Sequence, residues 1–457
     1  MRGQRVLARH FLISIAATMA VVSGCGTSEK PIPEETACHA GGYRLEDGRI
    51  VGMIPRDPGD MRYQFVSGET GTVLERDGGF WRGSGEDAAT IRLGVCGDPT
   101  IDLNIAGETI RGTKIPYSVT ETIFDGVDGK RAGRLVLPAD QPTKAIVVSV
   151  HGSERWSGRT GGRLQTLLPA FGIGVFAYDK RGTGTSEGKY TQDFDILAGD
   201  ALRARREARR LFGRDIDIGY IGGSQGGWVA PFAASKDGAA FVIAAYGMAI
   251  GPLYEDREEV FKDLRDAGYG EDVIEKASEI TDATGLVIKS GFKDGFDELD
   301  EVREKYQDEK WYDVIEGEFT GQFLGVPNIG LRIVGPFRDV GTSWEYEPRP
   351  VIEGLTMPQL WILADDDRAA PSGTTLEILR DIQTTKDSLD VVVFPNTDHG
   401  ILEFIQNEDG TRTYTRTAEG YYALIRDFIL TREPTLTVQG PILYEGQAAA
   451  ETDAEDQ

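Results

Sequence analysis

Histidine and cysteine are scarce in this chain, which limits the chemistry that it can perform. The 457 residues include only four histidines and three cysteines. These residues form no cluster with the spacing of metal ligands, and the sequence has no glycine-rich phosphate-binding loop. We therefore expect no metal site and no organic cofactor. Any catalytic histidine has to be one of only four residues.

Basic residues are in the minority. The chain has 49 lysines and arginines against 74 aspartates and glutamates, which gives a formal net charge of −25. A surface with this much negative charge is soluble and repels nucleic acids and anionic lipid faces. We therefore expect no nucleic-acid partner.

The N-terminus lacks an apolar run long enough to span a bilayer. Residues 11–22 are apolar and follow Arg2, Arg5 and Arg9, as in an export signal. The run ends in Val22-Ser23-Gly24-Cys25, which resembles the lipobox of bacterial lipoproteins. The resemblance implies that residues 1–24 are removed as a signal peptide and that Cys25 carries lipid. The alternatives are an ordinary signal peptide and a retained membrane anchor.

This resemblance also implies a location. A lipid on Cys25 would hold the protein in the cell envelope, on the periplasmic side. Gly26 follows Cys25 where an aspartate would favour retention in the inner membrane, so similarity to known lipoproteins indicates the outer membrane of a Gram-negative bacterium. Residues 25–37 are polar and contain prolines, which predicts a tether.

The remaining two cysteines flank a region without helical periodicity. Lipidation of Cys25 leaves Cys38 and Cys96, for which we favour a disulfide over two buried thiols. Between them, short alternating runs are separated by turn signals such as Asp47-Gly48. Residues 38–112 are therefore predicted to be a small antiparallel β module. It would cap the active site, bind a partner or lift the catalytic domain off the membrane, and the sequence does not select among these roles.

The next region alternates strands with helices, and three motifs follow predicted strands. The β-branched run 145–150 is followed by His151-Gly152-Ser153. The predicted strand 174–178 is followed by Asp179-Lys180-Arg181-Gly182. The third motif, Gly222-Gly223-Ser224-Gln225-Gly226-Gly227, lies between the apolar run 216–221 and a helix-like segment. The alternation predicts a mostly parallel, doubly wound sheet.

Together these motifs resemble the α/β-hydrolase superfamily, most of all its branch of esterases, dienelactone hydrolases and serine aminopeptidases. The resemblance covers residues 118–250 and 350–431 and implies an α/β-hydrolase fold. In this family Gly-x-Ser-x-Gly forms the nucleophile elbow, which makes Ser224 the expected nucleophile. It also implies that the backbone N–H groups of Ser153 and Gln225 form the oxyanion hole.

The resemblance places the catalytic acid after a late strand. Residues 358–363 are that strand, and alignment with the family pattern puts the acid at Asp367. Its neighbours Asp365 and Asp366 leave the register open. Ala364 replaces the glycine that is usual in the family.

The resemblance makes His399 the expected catalytic histidine. His10 lies in the signal, His39 lies beside Cys38, and His151 belongs to the oxyanion turn, where the family uses it structurally. His399 follows the predicted strand 391–394 in a loop that carries Asp398 where the family usually has glycine. The chain order Ser224, Asp367, His399 is that of the superfamily.

Residues 252–346 interrupt the sheet pattern and are predicted to be an inserted helical cap, with helical runs at 254–267, 271–289 and 296–315. Its aromatic residues are candidates for the substrate pocket, although a role in the core of the cap is favoured for each one: Trp311, Tyr312, Phe319, Phe323, Phe337 and Trp344. The catalytic domain is therefore assigned to residues 113–251 and 347–433. Residues 434–457 are acidic and predicted to be a disordered tail.

The leading functional hypothesis is a serine hydrolase that cleaves a carboxylic ester through a covalent acyl-enzyme. A serine peptidase or aminopeptidase of the same fold is the nearest alternative; it would need carboxylates near the pocket to hold an amine, with Asp179, Glu187 and the acidic cap as candidates. Acyl transfer to another acceptor and a non-catalytic envelope lipoprotein are further alternatives. The expected partners are a small ester or short peptide and, through the N-terminal lipid, a membrane.

Overall fold

The structure is a computed structural model that describes residues 32–57, 59–77, 79–84, 89–160 and 162–446. The predicted signal peptide, the lipidation site Cys25 and most of the predicted tether lie outside the described residues, as does the end of the predicted tail. Within the described ranges, no helix combines the length and apolar composition needed to cross a bilayer.

The N-terminal module is an antiparallel sheet of eight strands that closes on itself, because β1 pairs with both β2 and β8. A short helix, α1 (Glu34–Ala37), precedes it. The strands are β1 (Gly41–Leu45), β2 (Ile50–Asp57), β3 (Asp60–Phe65), β4 (Thr70–Asp77), β5 (Phe80–Arg82), β6 (Thr90–Leu93), β7 (Thr100–Ile105) and β8 (Glu108–Lys114). The predicted disulfide between Cys38 and Cys96 is confirmed, with an S–S distance of 1.98 Å.

Apolar side chains that alternate with polar ones along the strands fill the interior of this closed sheet. Met53, Phe65 and Trp81 come from three different strands and are each at most 2% exposed. Since side chains of a strand point alternately to its two faces, every second residue enters this small core. The module thus has its own hydrophobic core, and the disulfide joins the segment before β1 to the loop between β6 and β7.

The catalytic domain is built on a nine-stranded sheet with the order β20-β16-β15-β14-β13-β11-β12-β10-β9. The six central strands, β16, β15, β14, β13, β11 and β12, pair in parallel. Strands β10 and β9 at one edge and β20 at the other are antiparallel to their neighbours. The strands are β9 (Tyr117–Asp125), β10 (Lys130–Pro138), β11 (Ala145–Val150), β12 (Ile173–Tyr178), β13 (Ile218–Gly223), β14 (Val242–Ala245), β15 (Gln359–Ala364), β16 (Leu389–Phe394) and β20 (Ile442–Tyr444).

The central strands are apolar throughout because helices cover both faces of the sheet. The helices of this domain are α2 (Arg163–Leu167), α3 (Phe194–Phe212), α4 (Gly226–Asp237), α10 (Pro348–Gly354), α11 (Ser372–Gln383) and α12 (Tyr421–Thr431). Helix α3 begins where Asp193 accepts a hydrogen bond from the Ile196 N–H at 3.1 Å, and it ends at Gly213.

The strand order fixes the position of the site. The chain passes from β11 to β12 and then returns to the other side of β11 as β13. Loops that follow neighbouring parallel strands on opposite sides of such a reversal leave a crevice at the carboxyl ends of the strands. The oxyanion turn follows β11 and the elbow follows β13, so the topology brings the two predicted motifs to this crevice.

The helical cap is formed by α5 (Pro252–Asp266), α6 (Glu271–Lys289), α7 (Phe296–Tyr306), α8 (Thr320–Gly325) and α9 (Asn328–Arg338). The third predicted helix is too long, because the chain leaves helical geometry after Tyr306. Trp311, Phe319 and Phe323 are buried in the core of the cap, and Phe337 is 88% exposed. Most of the cap aromatics thus stabilise the cap itself.

The predicted disordered tail 434–457 is wrong for its first part. Residues 442–444 form β20, which pairs antiparallel with β16 at the edge of the large sheet. Tyr444 packs against the apolar cluster under this edge, and Gln383 donates a hydrogen bond to its carbonyl at 2.7 Å. The acidic composition of the stretch hid a short apolar segment that covers an otherwise open sheet edge.

His399 lies between the first two strands of a small three-stranded sheet, which we call the hairpin. It consists of β17 (Thr397–Asp398), β18 (Leu402–Gln406) and β19 (Arg412–Thr417), which form a separate antiparallel sheet. The turn between β3 and β4 of the N-terminal module packs on its last strand, where Arg416 donates to the Ser67 carbonyl at 2.9 Å. The hairpin therefore connects the histidine loop with the module.

Candidate active site

Ser224 lies in the sharp turn between β13 and α4. Its backbone is left-handed, with φ of 54°, a conformation that costs energy for a residue with a side chain. The strain is held by hydrogen bonds on both sides of the residue: its N–H donates to the Ala245 carbonyl at 3.1 Å, and its carbonyl accepts from the Gly227 N–H at 2.7 Å. The predicted elbow geometry is present.

Glycines at the elbow are required by close contacts. A Cβ on Gly222 would overlap the Gly226 carbonyl, because the helix turns back directly over the strand. A Cβ on Gly227 would lie 2.8 Å from the Gly247 Cα. The pattern of small residues around Ser224 thus follows from the tight passage of α4 over β13 and β14.

Asp367 is the aspartate of the triplet that contacts His399. Both carboxylate oxygens lie 3.1 Å from His399 Nδ1. One of them also accepts hydrogen bonds from the Ala369 and Ala370 N–H groups at 3.0 and 2.8 Å, and the residue is 1% exposed. Such bonds fix the orientation of the carboxylate.

The other two aspartates of the triplet have different partners. Asp365 accepts a hydrogen bond from the Thr397 N–H at 3.3 Å. Asp366 forms ion pairs with Lys262 of the cap at 2.5 Å and with Arg412 at 2.6 Å. The loop therefore uses Asp366 to hold the cap and the hairpin in place, and it directs Asp367 toward the histidine.

The pKa of His399 is raised above its ordinary value. Burial by itself lowers this pKa, but the hydrogen bond and negative charge of Asp367, with smaller effects of Asp398 and Glu154, more than offset it. The ring also contacts Tyr246 edge-on, with centroids 5.0 Å apart. The surroundings thus favour the imidazolium, as a general base that has just accepted a proton requires.

Asp398 is a buried support for the histidine loop. It is 1% exposed and accepts hydrogen bonds from the Arg368 and His399 N–H groups at 2.9 and 2.8 Å and from the Tyr414 hydroxyl at 2.8 Å. Arg412 forms an ion pair with it at 2.6 Å. Asp398, which departs from the family pattern, therefore connects the loop after β15, the histidine loop and strand β19.

The turn after β11 packs directly on the nucleophile. A Cβ on Gly152 would lie 3.2 Å from the Ser224 Cβ and 3.3 Å from the Gly223 carbonyl oxygen. This proximity places the Gly152–Ser153 peptide beside the predicted position of the oxyanion. Gln225, the other predicted donor, directly follows Ser224 at the start of α4 and is buried.

Lys180 fixes the orientation of this peptide. Its ammonium group donates to the Gly152 carbonyl oxygen at 2.5 Å. In a trans peptide the C=O and N–H groups point in opposite directions, so a carbonyl drawn toward Lys180 directs the Ser153 N–H away from it. Burial lowers the pKa of Lys180 to about 8, although the Glu154 carboxylate raises it. Lys180 is therefore a positioning residue for a predicted oxyanion donor.

His151 and Glu154 complete this side of the site. The Lys180 N–H donates to His151 Nε2 at 3.2 Å, and His151 Nδ1 lies 3.3 Å from a Glu154 carboxylate oxygen. Burial raises the pKa of Glu154, but its interactions with His151 and Lys180 lower it further than burial raises it. His151 is thus engaged within the turn, in agreement with a structural role.

One cavity joins the predicted catalytic residues. It has a volume of about 580 Å³, and both Ser224 and His399 line it. The oxyanion turn, from His151 to Glu154, forms one wall, and three tyrosines and Arg163 form another. None of the six cap aromatics named as pocket candidates is among its lining residues in the described part of the chain.

Comparisons with known proteins agree with this architecture. Residues 141–267, which include β11, the elbow and the first cap helix, match the family model described as serine aminopeptidase S33. No curated protein is significantly similar in sequence. The chain has the α/β-hydrolase fold.

Solved structures with a similar arrangement include esterases and a peptidase. The Pyrococcus furiosus esterase Pf2001 is 17% identical, with a TM-score of 0.38 over 63% of this chain and 85% of its own. The Pyrococcus horikoshii acylaminoacyl peptidase is 15% identical, with a TM-score of 0.41 over 86% and 57%. Est1E from Butyrivibrio proteoclasticus, solved with ferulic acid bound, is 18% identical, with a TM-score of 0.38 over 68% and 96%.

Sequence reasoning missed the residues that support the site. Lys180 stood inside a quoted motif without a role, and Asp398 was noted only as a departure from the family pattern. A lysine and an aspartate that directly follow strands facing the crevice were the available signals. Arg412 had no signal, because its position on the hairpin depends on tertiary contacts.

Proposed function

We propose that this serine hydrolase cleaves a carboxylic ester with Ser224 as nucleophile, His399 as general base and Asp367 as the acid that orients the histidine. The observation that carries the proposal is the pairing of His399 Nδ1 with Asp367 at 3.1 Å on the wall of the cavity that Ser224 also lines. With Nδ1 engaged by the carboxylate, Nε2 of His399 is the nitrogen left to accept the Ser224 proton.

The reaction then has two halves. The Ser224 oxygen attacks the ester carbonyl carbon while His399 takes its proton, and the Ser153 and Gln225 N–H groups stabilise the negative oxygen. His399 returns the proton to the departing alcohol, which leaves an acyl-enzyme. Water attacks the acyl carbon in the same way, its proton passes through His399 to Ser224, and a carboxylic acid is released.

Amide hydrolysis is the alternative outcome. An aminopeptidase needs a carboxylate that is free to hold the substrate amine. Asp179 is fully buried and bonded to Arg159 at 3.0 Å, and Glu187 accepts from the Lys130 N–H at 2.8 Å. Neither residue lines the cavity. These two candidates therefore favour ester cleavage over release of an N-terminal residue.

A fluorophosphonate probe tests the proposed nucleophile in the purified protein. We expect an adduct located on Ser224 by mass spectrometry, absent in Ser224→Ala and slowed strongly in His399→Ala. Ser235→Ala, which removes an exposed serine on the same helix, is the matched control and should label normally. A folded protein that labels elsewhere, or not at all, would refute the assignment and favour a non-catalytic lipoprotein.

Paired substrates test the reaction. We expect turnover of p-nitrophenyl butyrate and little turnover of butyryl p-nitroanilide or alanine p-nitroanilide. Faster cleavage of alanine p-nitroanilide would assign the protein to the aminopeptidases instead. A product formed only when an alcohol is added in place of water would indicate acyl transfer.

We also propose that Cys25 is lipidated and holds the enzyme in the cell envelope, on the periplasmic side of the outer membrane. The proposal rests on the sequence Val22-Ser23-Gly24-Cys25 after an export signal. Mass spectrometry of the N-terminal peptide should show diacylglyceryl-modified Cys25, and Cys25→Ser should release the protein from the membrane fraction. An unmodified N-terminus would contradict it.

A further inference from the structure

Arg163 is a charged residue of the active-site cavity that the proposed reaction does not use. It is the first residue of α2, and it lines the cavity together with Ser224 and His399. Its Nε atom is buried and has no hydrogen-bond partner. The guanidinium is a donor that always carries positive charge. Because Nε is shielded from solvent and the residue is half-buried, a ligand in the cavity would meet the guanidinium through its terminal nitrogens.

The surroundings of Arg163 contain phenol groups and no acid that pairs with it. Tyr246, Tyr421 and Tyr422 line the same cavity. Burial raises the pKa of each of the three hydroxyls, and the positive charge of Arg163 acts against this rise at all three. Arg163 is thus the charge that dominates this wall, which we call the tyrosine wall.

A second arginine, on the N-terminal module, acts on the first through its charge. Arg62 lies on β3 of the N-terminal module, and burial followed by repulsion from Arg163 and Arg56 lowers its pKa to about 10. Within the part of the chain that the structure describes, neither Arg62 nor Arg163 forms an ion pair or donates a side-chain hydrogen bond. The like charges of Arg62 and Arg163 therefore repel each other, while the negative charge of Asp60 acts in the opposite sense on Arg62.

The other buried arginines differ in this respect. Arg131 pairs with Asp200 at 2.9 Å, Arg159 with Asp179 at 3.0 Å, and Arg412 with Asp398 at 2.6 Å. The chain has 74 aspartates and glutamates that could pair with arginines, so the lack of an acidic partner for Arg163 does not come from a shortage of acids. Among the described residues that line the cavity, Glu154 is the one acid, and it already interacts with His151 and Lys180. Buried positive charge without a partner is unfavourable, and an incoming anion would relieve it.

We propose that Arg163, supported by Arg62, binds a carboxylate of the substrate along the tyrosine wall. The substrate class would then be esters that carry a free carboxylate in addition to the ester bond, such as half-esters of dicarboxylic acids. The guanidinium group matches a carboxylate with two parallel N–H bonds, and the tyrosine hydroxyls offer further donors. This inference rests on the proposed ester hydrolysis at Ser224, because it assigns the specificity of that same cavity.

Binding to a variant that cannot turn over gives the first readout. The Ser224→Ala protein is titrated calorimetrically with the monomethyl and the dimethyl esters of succinate, glutarate and adipate, which differ in charge and in reach. For at least one chain length we expect the monoester to bind about tenfold more tightly than the diester, as a charge-assisted hydrogen-bonded pair predicts. Arg163→Gln in this background should abolish the preference, and Arg163→Lys should retain part of it.

Two further variants separate the roles. Arg62→Gln should weaken the preference by less than Arg163→Gln, because Arg62 contributes its charge without lining the cavity. Arg111→Gln removes an exposed arginine that pairs with Asp102 on the same module and should leave the preference unchanged. Circular dichroism verifies that each variant is folded. Equal binding of monoester and diester at every chain length, absence of monoester binding, or a preference that survives Arg163→Gln would overturn the proposal.

Turnover of the same esters by the unmodified protein distinguishes this inference from the proposed function. Hydrolysis of both ester types without a preference, insensitive to Arg163→Gln, would remove the carboxylate site and leave the esterase assignment intact. Binding with the expected preference, but without hydrolysis and without fluorophosphonate labelling of Ser224, would support the carboxylate site and refute the proposed esterase function.

Discussion

At the scale of single residues, Asp398 shows how a catalytic loop is held in place by charge. Its carboxylate is buried and receives three hydrogen bonds besides the ion pair with Arg412. Loss of the carboxylate would leave Arg412 buried with Asp366 as its remaining acidic partner. Removal of one partner from a buried ion pair usually costs several kcal/mol because the other charge stays desolvated.

We expect Asp398→Ala to lower the free energy of unfolding by about 3 kcal/mol, measured by urea denaturation. Glu408→Ala, at an exposed position of the same hairpin, should change it by less than about 0.5 kcal/mol. The pKa of Asp398 is lowered in the folded protein: burial raises it, but the hydrogen bonds lower it further. Its contribution is therefore present above the unfolded pKa of about 3.9 and is lost as the pH falls through the folded value.

Asp398→Asn removes the charge and keeps the shape of the side chain. The loss in the free energy of unfolding that this variant causes should therefore become smaller in acid. A deficit that stays constant from neutral pH down to pH values below the folded pKa of Asp398, which is lower than the unfolded value of about 3.9, would show that the charge of Asp398 is not what stabilises the loop. In that case shape alone would hold His399.

His399 provides the second prediction at this scale. Since catalysis requires the neutral imidazole, activity should rise with pH through the pKa of His399, which lies above 6.5. Asp367→Asn removes the hydrogen bond and the charge that raise this pKa and leaves the burial that lowers it. We expect the midpoint of the His399 titration, followed by NMR, to fall and kcat to drop by about 10⁴-fold.

Asp365→Asn and Asp366→Asn are the comparisons that decide the register of the triplet. Neither side chain contacts His399, so neither variant should move the midpoint. A large drop in kcat for one of them, with a mild effect of Asp367→Asn, would transfer the role of the acid to that neighbour.

At the scale of elements, the oxyanion turn depends on a buried lysine. Lys180→Met keeps the length of the side chain but releases the Gly152 carbonyl and thereby the orientation of the Ser153 N–H. A lost oxyanion donor costs about 10²- to 10³-fold in kcat, and a donor that is only misaligned should cost about 10- to 100-fold. KM should change little, because the developing negative charge exists only in the transition state.

The pH profile separates positioning from a purely structural effect. With a pKa of about 8 for Lys180, the ammonium loses its proton on the alkaline side, and activity should decline there. Lys180→Met should lack this decline, whereas Lys144→Met, at an exposed lysine, should keep both the decline and the rate. An alkaline decline that persists in Lys180→Met would contradict the assigned role.

The helices and strands were predictable where burial requires a clear pattern of apolar or small residues. The central strands are apolar on both faces, the elbow needs small residues on each side of Ser224, and the late strand and loop locate Asp367 and His399. Closure of the N-terminal sheet was not predictable, because alternation marks a strand but does not name its partner. The three-residue strands β5 and β20 are too short to show a period.

Support residues were harder to predict than reactive ones for a related reason. Ser224 and His399 are marked by local motifs, whereas Lys180 acts on a carbonyl in another loop and Arg163 lies in a short helix without a motif. Their roles arise only when distant segments meet. Arg62 is the extreme case, since it lies on a different module from Arg163.

At the scale of the whole molecule, the N-terminal module packs directly behind the cavity. A Cβ on Gly52 of β2 would lie 2.5 Å from Thr166 Oγ1 and 3.1 Å from Thr166 Cβ, both on α2. On the same helix, Arg163 begins the turn that lines the cavity. The close approach of β2 therefore constrains the position of α2 and of Arg163 at its start.

Gly52→Ala tests this coupling. The added methyl group has to push β2 and α2 apart, which we expect to lower the free energy of unfolding by about 1–3 kcal/mol and to raise KM for the carboxylate-bearing ester. The kcat for a neutral ester should stay near its original value, because the elbow and the His399 loop lie on other elements. Gly373→Ala, in helix α11 with open space around it, should instead stabilise the protein slightly. If Gly52→Ala lowers kcat for the neutral and the carboxylate-bearing ester equally, the module acts on the catalytic residues themselves and not through the tyrosine wall.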